Sequence, residues 1–369
     1  MPFGTECKSG ADPDLSDISS KRVFLTGGTG FIGREVLHQL RKQGYEVVAQ
    51  SRSAAGRRYL EQQGVVVLRS QLSDQGALKG VLERCDAVIN LAYDVRADGP
   101  SNLAAFNALL KAAQDVHVRT FIHMSSIVVY DDWPNGALDA YSPVTPGGSV
   151  YRRTKIEMER IAHEQDLAVA LLEPTLVYGA QSSLWTKRFL DALSGTGVVL
   201  PEGAGHAALV HVSDVAAAVM CALRADIQST AKFPLNAAEP VRWADYLNGL
   251  SEIAGGRGVI RTADQDLFAR LGPRSEGAMK PSGPSRAAQI SAMARRALGH
   301  DAFERIVGAV RRVRPGSDEP FYPDHTMLDL YLANPKISTE AAQAGLGWSP
   351  EMDLTAGLRE IRENFPKKP

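Results

Sequence analysis

The sequence is poor in the features that mark specialised proteins. Its 369 residues include three cysteines, Cys7, Cys85 and Cys221, at spacings that suit neither a disulfide framework nor a metal-ligand set. No metal is expected, and a reducing cytoplasmic setting fits. No run reaches the roughly 18 consecutive apolar residues of a spanning helix, so integral membrane association is not expected either. Charge is balanced, with 41 basic and 42 acidic residues, which removes any global electrostatic case for nucleic acid as a partner. Repeats of fixed period are absent. Residues 1–20 are polar and lack the apolar core of a signal peptide, and they read as a flexible leader.

What remains is ordinary globular material, 44% apolar and long enough to bury a large core. From Arg22 onward, short β-branched runs alternate with amphipathic stretches. Strands are expected at Val23–Thr26, Glu46–Gln50, Val65–Arg69, Ala87–Ala92, Thr120–Ser126 and Ala168–Glu173. Helices are expected near Ile32–Gln43, Asp74–Glu83, Asn102–Gln114 and Val150–Glu164. That rhythm predicts an α/β fold, a doubly wound parallel sheet of Rossmann type whose ligands sit at the carboxyl ends of the strands. Residues 21–180 would form the Rossmann domain. Residues 181–369 would form mainly a smaller C-terminal substrate lobe, with some segments returning to the first domain. In that half a short strand is expected near Val198–Leu200, then the segment Leu209–Asp214 with a helix behind it. Gly272–Gly316 is rich in Pro, Gly, Ser and Arg, loop-like through Ser285 and helical over Arg286–Val313.

The run Gly27-Gly28-Thr29-Gly30-Phe31-Ile32-Gly33 follows the first strand and opens a helix. Glycine lets the backbone approach a pyrophosphate, and the helix's free N–H groups favour its charge. The second strand ends in Ser51 and Arg52, where a carboxylate would repel a 2′-phosphate. A hydroxyl and a guanidinium welcome that phosphate, so NADP is expected in preference to NAD. Arg34 is either an assistant or a surface residue.

Tyr151 and Lys155 are spaced Y-x-x-x-K, on one face of a helix. A nearby ammonium favours the phenolate and brings the tyrosine's proton exchange nearer neutrality. Ser126, at the end of the fifth strand, supplies a hydroxyl to hold a substrate oxygen. Ser125 is out of phase and should face away.

The order of glycine loop, serine, tyrosine and lysine resembles the extended short-chain dehydrogenases, the group of nucleotide-sugar epimerases, dehydratases and their ketone-reducing relatives. Asn90-Leu91-Ala92, Ser125 to Tyr130, Glu159, Leu172 to Gly179, His211 to Asp214 and Leu346 to Pro350 carry the resemblance further. It implies that Leu91 and Ala92 line the cofactor, that Lys155 also holds the nicotinamide ribose, and that Pro174 and Val177 border the nicotinamide. Gln71, followed by Leu72, stands where the family usually has an aspartate against the adenine; its carbonyl can accept from the adenine amine. Asn102 falls where the family places an asparagine, as a substrate contact or a buried structural amide. His211 and Asp214 are expected to shape the second lobe.

Departures bear on the substrate. Glu173 stands where the family commonly has an arginine before the proline. Ala207 and Ala208 fall where nucleotide-sugar epimerases carry Arg-Asp, so a charge-assisted diphosphate contact of roughly 1.5–3 kcal/mol is missing. Ile127 and Val128 replace the Asp-Glu of the dehydratases, which speaks against that branch. Arg295, Arg296, Arg305, Arg311, Arg312 and Arg314 form either an anion-binding lid, with Arg314 as its candidate substrate contact, or a solvated basic face. The resemblance implies an NAD(P)-dependent oxidoreductase or epimerase acting on a small molecule, a nucleotide sugar or a steroid- or flavonoid-like ketone. A non-catalytic NADP-sensing regulator is the alternative of another class. Alanines on the Asn102 helix, Ala104, Ala105, Ala108, Ala112 and Ala113, suit a homodimer interface or internal packing.

Overall fold

In the computed structural model of the chain, residues 21–274 and 319–365 are described. The leader, the basic segment 286–314 and Arg314 lie outside them.

Seven strands form one sheet: β1 Arg22–Thr26, β2 Glu46–Gln50, β3 Val66–Leu68, β4 Ala87–Asn90, β5 Thr120–Met124, β6 Val169–Pro174 and β7 Ala231–Leu235. Their order is 3-2-1-4-5-6-7 and every pairing is parallel. The chain reverses its direction of winding between β1 and β4, and a crevice opens there at the carboxyl ends. Parallel strands covered on both faces need near-continuous apolar sequence, and β4 and β5 are buried throughout.

Helices packed on the sheet include α1 Phe31–Lys42, α2 Ala54–Gln62, α3 Gln75–Leu82, α4 Gly99–Asp115, α5 Val150–His163 and α6 Val212–Arg224. Val36, Leu37 and Leu40 of α1 and Val215 and Val219 of α6 cover one face of the sheet. Leu78 and Leu82 of α3, Phe106 and Leu109 of α4 and Met158 of α5 cover the other. A further core, built on Phe189, Trp243, Tyr246 and Tyr331, lies in the C-terminal half.

Several boundaries differ from the sequence reading. The fourth strand stops at Asn90 rather than Ala92, and the fifth at Met124 rather than Ser126. Leu91 and Ala92 leave the ladder because their backbone packs over Gly27. The fourth helix starts at Gly99, before Asn102, since Asp98 accepts from Ser101 N and Pro100 occupies the first turn. Helix α2 and strand β7 were not anticipated. Lys232 and Pro234 interrupt the apolar pattern of β7, which is tolerated because that strand forms the sheet edge. The strand Val198–Pro201 appears where expected. The segment Leu209–Asp214 divides into a strand, Leu209–His211, and the first turn of α6.

No helix among the described residues is long and apolar enough to cross a membrane.

Candidate active site

A cleft of about 690 Å³ opens at the reversal point, lined among others by Gly27, Thr29, Gly30, Gln50, Ser51, Arg52, Gln71, Leu72, Leu91 and Ala92. Its floor is the glycine loop. Gly27 has φ +72°, and a Cβ there would lie 2.8 Å from the Leu91 carbonyl carbon. At Gly33 a Cβ would lie 2.1 Å from the Gly27 oxygen. Gly30 carries no capping side chain, so nothing from its own residue blocks the first N–H groups of α1. A backbone cradle that excludes any Cβ, beneath an uncapped helix end, fits a dinucleotide pyrophosphate. Phe31 and Ile32 open α1 itself.

At the β2 end, Ser51 is buried and Arg52 is exposed. Ser53 caps α2 by accepting from Gly56 N. Arg52 Nη1 is 2.9 Å from Asp94 Oδ2, a residue beyond β4. Arg57 donates to the Arg52 carbonyl at 3.0 Å and props the turn. Arg34 donates to the Thr29 carbonyl and lies over the Tyr59 ring, where it supports the loop from the side.

Tyr151 and Lys155 occupy the first turns of α5, whose N-cap Ser149 accepts from Arg152 N. The Ser126 hydroxyl stands beside the Tyr151 phenol. Ser126 is held by its own position as cap of a short 3-10 turn, Ile127–Val129. Burial pushes the Tyr151 phenol up to about 12, with the Ser126 hydroxyl pulling the other way. Lys155 Nζ donates to the Met124 carbonyl at 2.6 Å and lies 5.9 Å from the Tyr151 ring centroid. Burial in turn holds the Lys155 ammonium down at about 7, opposed by Glu159.

Tyr93, which sequence reasoning passed over, completes this corner. It lines the cleft, and its ring meets that of Tyr151 edge-on at 4.8 Å. The Lys155 ammonium stands 5.1 Å from its centroid. Tyr93 follows the Asn-Leu-Ala triplet directly, the one signal that pointed to it. Beneath lies a buried chain from Thr26 Oγ1 through Asn90 to His123. His123 is held well below the usual imidazole range by burial and by Lys155, and so stays neutral.

Behind α5, Ser125 turns away from the cleft and donates to Glu159. Lys232 of β7 lies 3.3 Å from Glu159 and 3.2 Å from Glu173, and Tyr130 donates to Glu173 at 2.9 Å. Glu173, unexplained in the sequence, is thus paired with a lysine from the neighbouring strand.

Of the remaining candidates, Asn102, His211 and Asp214 serve the frame. Asn102 spends its amide on the loop before α4: Oδ1 accepts from Asp94 N, and Nδ2 donates to the carbonyls of Asp94 and Asp98. Pro174 ends β6, and Val177 is half-buried on the short strand Leu176–Tyr178. His211 caps α6 through Ser213, while Asp214 accepts from Glu351 N and Met352 N. Ala207 is buried, paired with Val241. Among the described residues no cluster of His, Cys, Asp or Glu is placed to hold a metal.

The sterol-4-alpha-carboxylate 3-dehydrogenase (decarboxylating) of Dictyostelium discoideum is 28% identical over 47% of this chain and 57% of its own length. The chain therefore spans little more than half of that relative. A 4-hydroxy-2-methyl-3-oxo-4-farnesyl-3,4-dihydroquinoline-1-oxide ketoreductase of Stigmatella aurantiaca is 24% identical over 63% of this chain and 73% of its own. The fold matches that of UDP-glucuronic acid 4-epimerase from Bacillus cereus, solved with NAD, at TM-score 0.64 and 16% identity, covering 93% of this chain and 98% of that one. The family model for the NAD dependent epimerase/dehydratase family matches residues 23–234, from β1 into β7, and so takes in the glycine loop, Ser126, Tyr151 and Lys155 together. The chain belongs to that family.

Proposed function

We propose that this protein is an NAD(P)-dependent oxidoreductase or epimerase that works at a carbon bearing a hydroxyl or keto group. The observation that carries this reading is the gathering of Ser126, Tyr151 and Lys155 in one corner, with the Lys155 ammonium 5.9 Å from the Tyr151 ring centroid and Ser126 beside its phenol. When bound, the nicotinamide supplies or takes the hydride. Ser126 holds the substrate oxygen. In the reducing direction Tyr151 gives its phenolic proton to that oxygen, and the Lys155 ammonium stabilises the phenolate left behind. Gln71 and Leu72 would meet the adenine; Leu91, Ala92, Pro174 and Val177 would flank the cofactor. The exposed Arg52 beside Ser51 supports NADP as the preferred dinucleotide.

For the substrate, the burial of Ala207 favours a ketone or secondary alcohol over a nucleotide sugar, because no guanidinium stands there for a diphosphate. A homodimeric, cytoplasmic enzyme is the matching cellular reading. The test is turnover of NADPH with a panel of cyclic ketones, set against UDP-sugars with NAD. Tyr151→Phe should cut kcat on the accepted substrate by about 10²–10⁴-fold with NADPH affinity unchanged. An unaltered rate and pH profile in that variant would remove Tyr151 from the chemistry and leave the non-catalytic sensor as the better reading.

A further inference from the structure

Strands β2 and β4 are the two neighbours of β1. A bond between residues beyond their carboxyl ends must therefore span the glycine loop that follows β1. Arg52 and Asp94 make such a bond, at 2.9 Å, and both line the cleft. The two ends are not equally free. Asp94 is pinned to α4 by Asn102, which accepts from its N–H at 2.8 Å and donates to its carbonyl at 3.0 Å. Its Oδ1 accepts from Arg96 N at 3.1 Å, which turns Oδ2 to Arg52. The Arg52 side chain is 69% exposed against 26% for Asp94. The carboxylate is a fixed post and the guanidinium is the part that moves.

We propose that Asp94 is a specificity-determining residue, which competes with the 2′-phosphate of NADP for the Arg52 guanidinium and so sets the margin between NADP and NAD. This rests on the NADP reading given above. A ribose 2′-hydroxyl makes no demand on Arg52, so NAD enters without breaking the ion pair. A 2′-phosphate must take the guanidinium from Asp94, which offsets part of the gain from the new charge-assisted contact. Asn102 acquires a purpose in this scheme: it holds the competitor in place.

The experiment is equilibrium binding of NADPH and NADH, read by cofactor fluorescence, on the full chain and on Asp94→Asn, Arg52→Ala, the double variant and Asp98→Asn. Asp94→Asn keeps an acceptor for Arg96 N and should tighten NADPH about threefold, the scale of an exposed ion pair, with NADH within twofold of wild type. That tightening should vanish when Arg52 is alanine, since the cycle isolates the pair. Asp98→Asn removes a like charge from the same loop and should move neither affinity. Arg52→Ala alone should weaken NADPH about tenfold. Tightening by Asp94→Asn that survives in the Arg52→Ala background, or that is equal for both cofactors, overturns the competition and leaves only long-range repulsion. An unchanged NADPH-to-NADH ratio in Arg52→Ala has a different signature: it overturns the NADP reading itself, and the proposal with it. Thermal midpoints of all variants within a few degrees of wild type establish that the affinities are those of folded protein.

Discussion

Lys232 lies 3.2 Å from Glu173, and the two face each other from the adjacent strands β7 and β6 behind α5. Glu159, 3.3 Å from the same ammonium, gives the cluster two carboxylates for one cation. Such a cluster tolerates the loss of a carboxylate better than the loss of the cation. Lys232→Met should destabilise the protein by roughly 3–5 kcal/mol, the usual cost of stranding a buried charge. Glu173→Gln with Lys232→Met should recover part of that, because glutamine still accepts from Tyr130 without a charge. Chemical denaturation of the three variants reads both numbers. A Lys232→Met variant as stable as wild type would show that the ion pair contributes nothing.

Burial and the neighbouring Glu159 hold the Glu173 carboxyl well above the usual carboxylate range. With the folded pKa raised above the unfolded value, the native state binds the extra proton, and stability falls as pH climbs past about 4.3. In Glu173→Gln that source of decline is gone. Its stability relative to wild type should therefore rise with pH from about 5 upward, measured by denaturation at several pH values.

At Gly33 the geometry leaves no room for adjustment, since a Cβ would press on backbone atoms of Gly27 and Gly28, at 2.1 and 2.8 Å. Gly33→Ala should push the loop away from the start of α1 and weaken both NADPH and NADH more than tenfold. Gly44→Ala is the contrast: unlike helical Gly33 it has positive φ, +79°, yet its Cβ would meet nothing within 4 Å. That variant should lose about 1 kcal/mol of stability from backbone strain and keep its cofactor affinity.

Where the sequence spoke clearly, local rules were sufficient. The glycine loop, β1, β2 and α5 were legible because period, cap and glycine placement all agreed. What escaped depends on partners distant in the chain. Lys232 in an Ala-Lys-Phe-Pro-Leu stretch reads as a broken strand, and only the edge position and the two glutamates make it sensible. Tyr93 carried no motif; its meaning comes from an aromatic ring 58 positions later. The hydrogen-bond partner of Lys155 is hidden in the same way. The spacing Y-x-x-x-K fixes which face of the helix both residues share, but burial and the Met124 carbonyl decide where the ammonium goes.

Asp214 links the middle of the chain to its end. Its carboxylate accepts from Glu351 N and Met352 N at 3.1 Å each, while its backbone carbonyl accepts from Trp348 Nε1. Asp214→Ala removes the acceptor of two part-buried N–H groups, a cost of about 1–2 kcal/mol. The effect should be local first, so hydrogen exchange should quicken over residues 349–364 before β1 to β5 respond. Uniform exchange across the sheet would assign Asp214 to the global core instead.

Lys155 gives the sharpest pH dependence. Burial lowers its ammonium from 10.5 to about 7, with Glu159 opposing. The folded value lies below the unfolded one, so between about 7 and 10.5 the unfolded chain binds more protons, and the group's contribution to stability rises with pH. Below about 7 the penalty for burying the cation is complete. Lys155→Met removes it, and also removes the bond to the Met124 carbonyl, worth about 1 kcal/mol. A net gain of roughly 1–3 kcal/mol is expected near pH 6.5, shrinking toward pH 10. Catalysis should move the other way. As pH climbs through about 7 the ammonium that stabilises the Tyr151 phenolate disappears, so carbonyl reduction should decline above that value. In Lys155→Met the rate should be low throughout and the inflection absent. If the variant is no more stable at pH 6.5 and the wild-type rate holds level to pH 9, Lys155 stays charged across the working range, and its neighbours compensate burial more fully than the bonds described above account for.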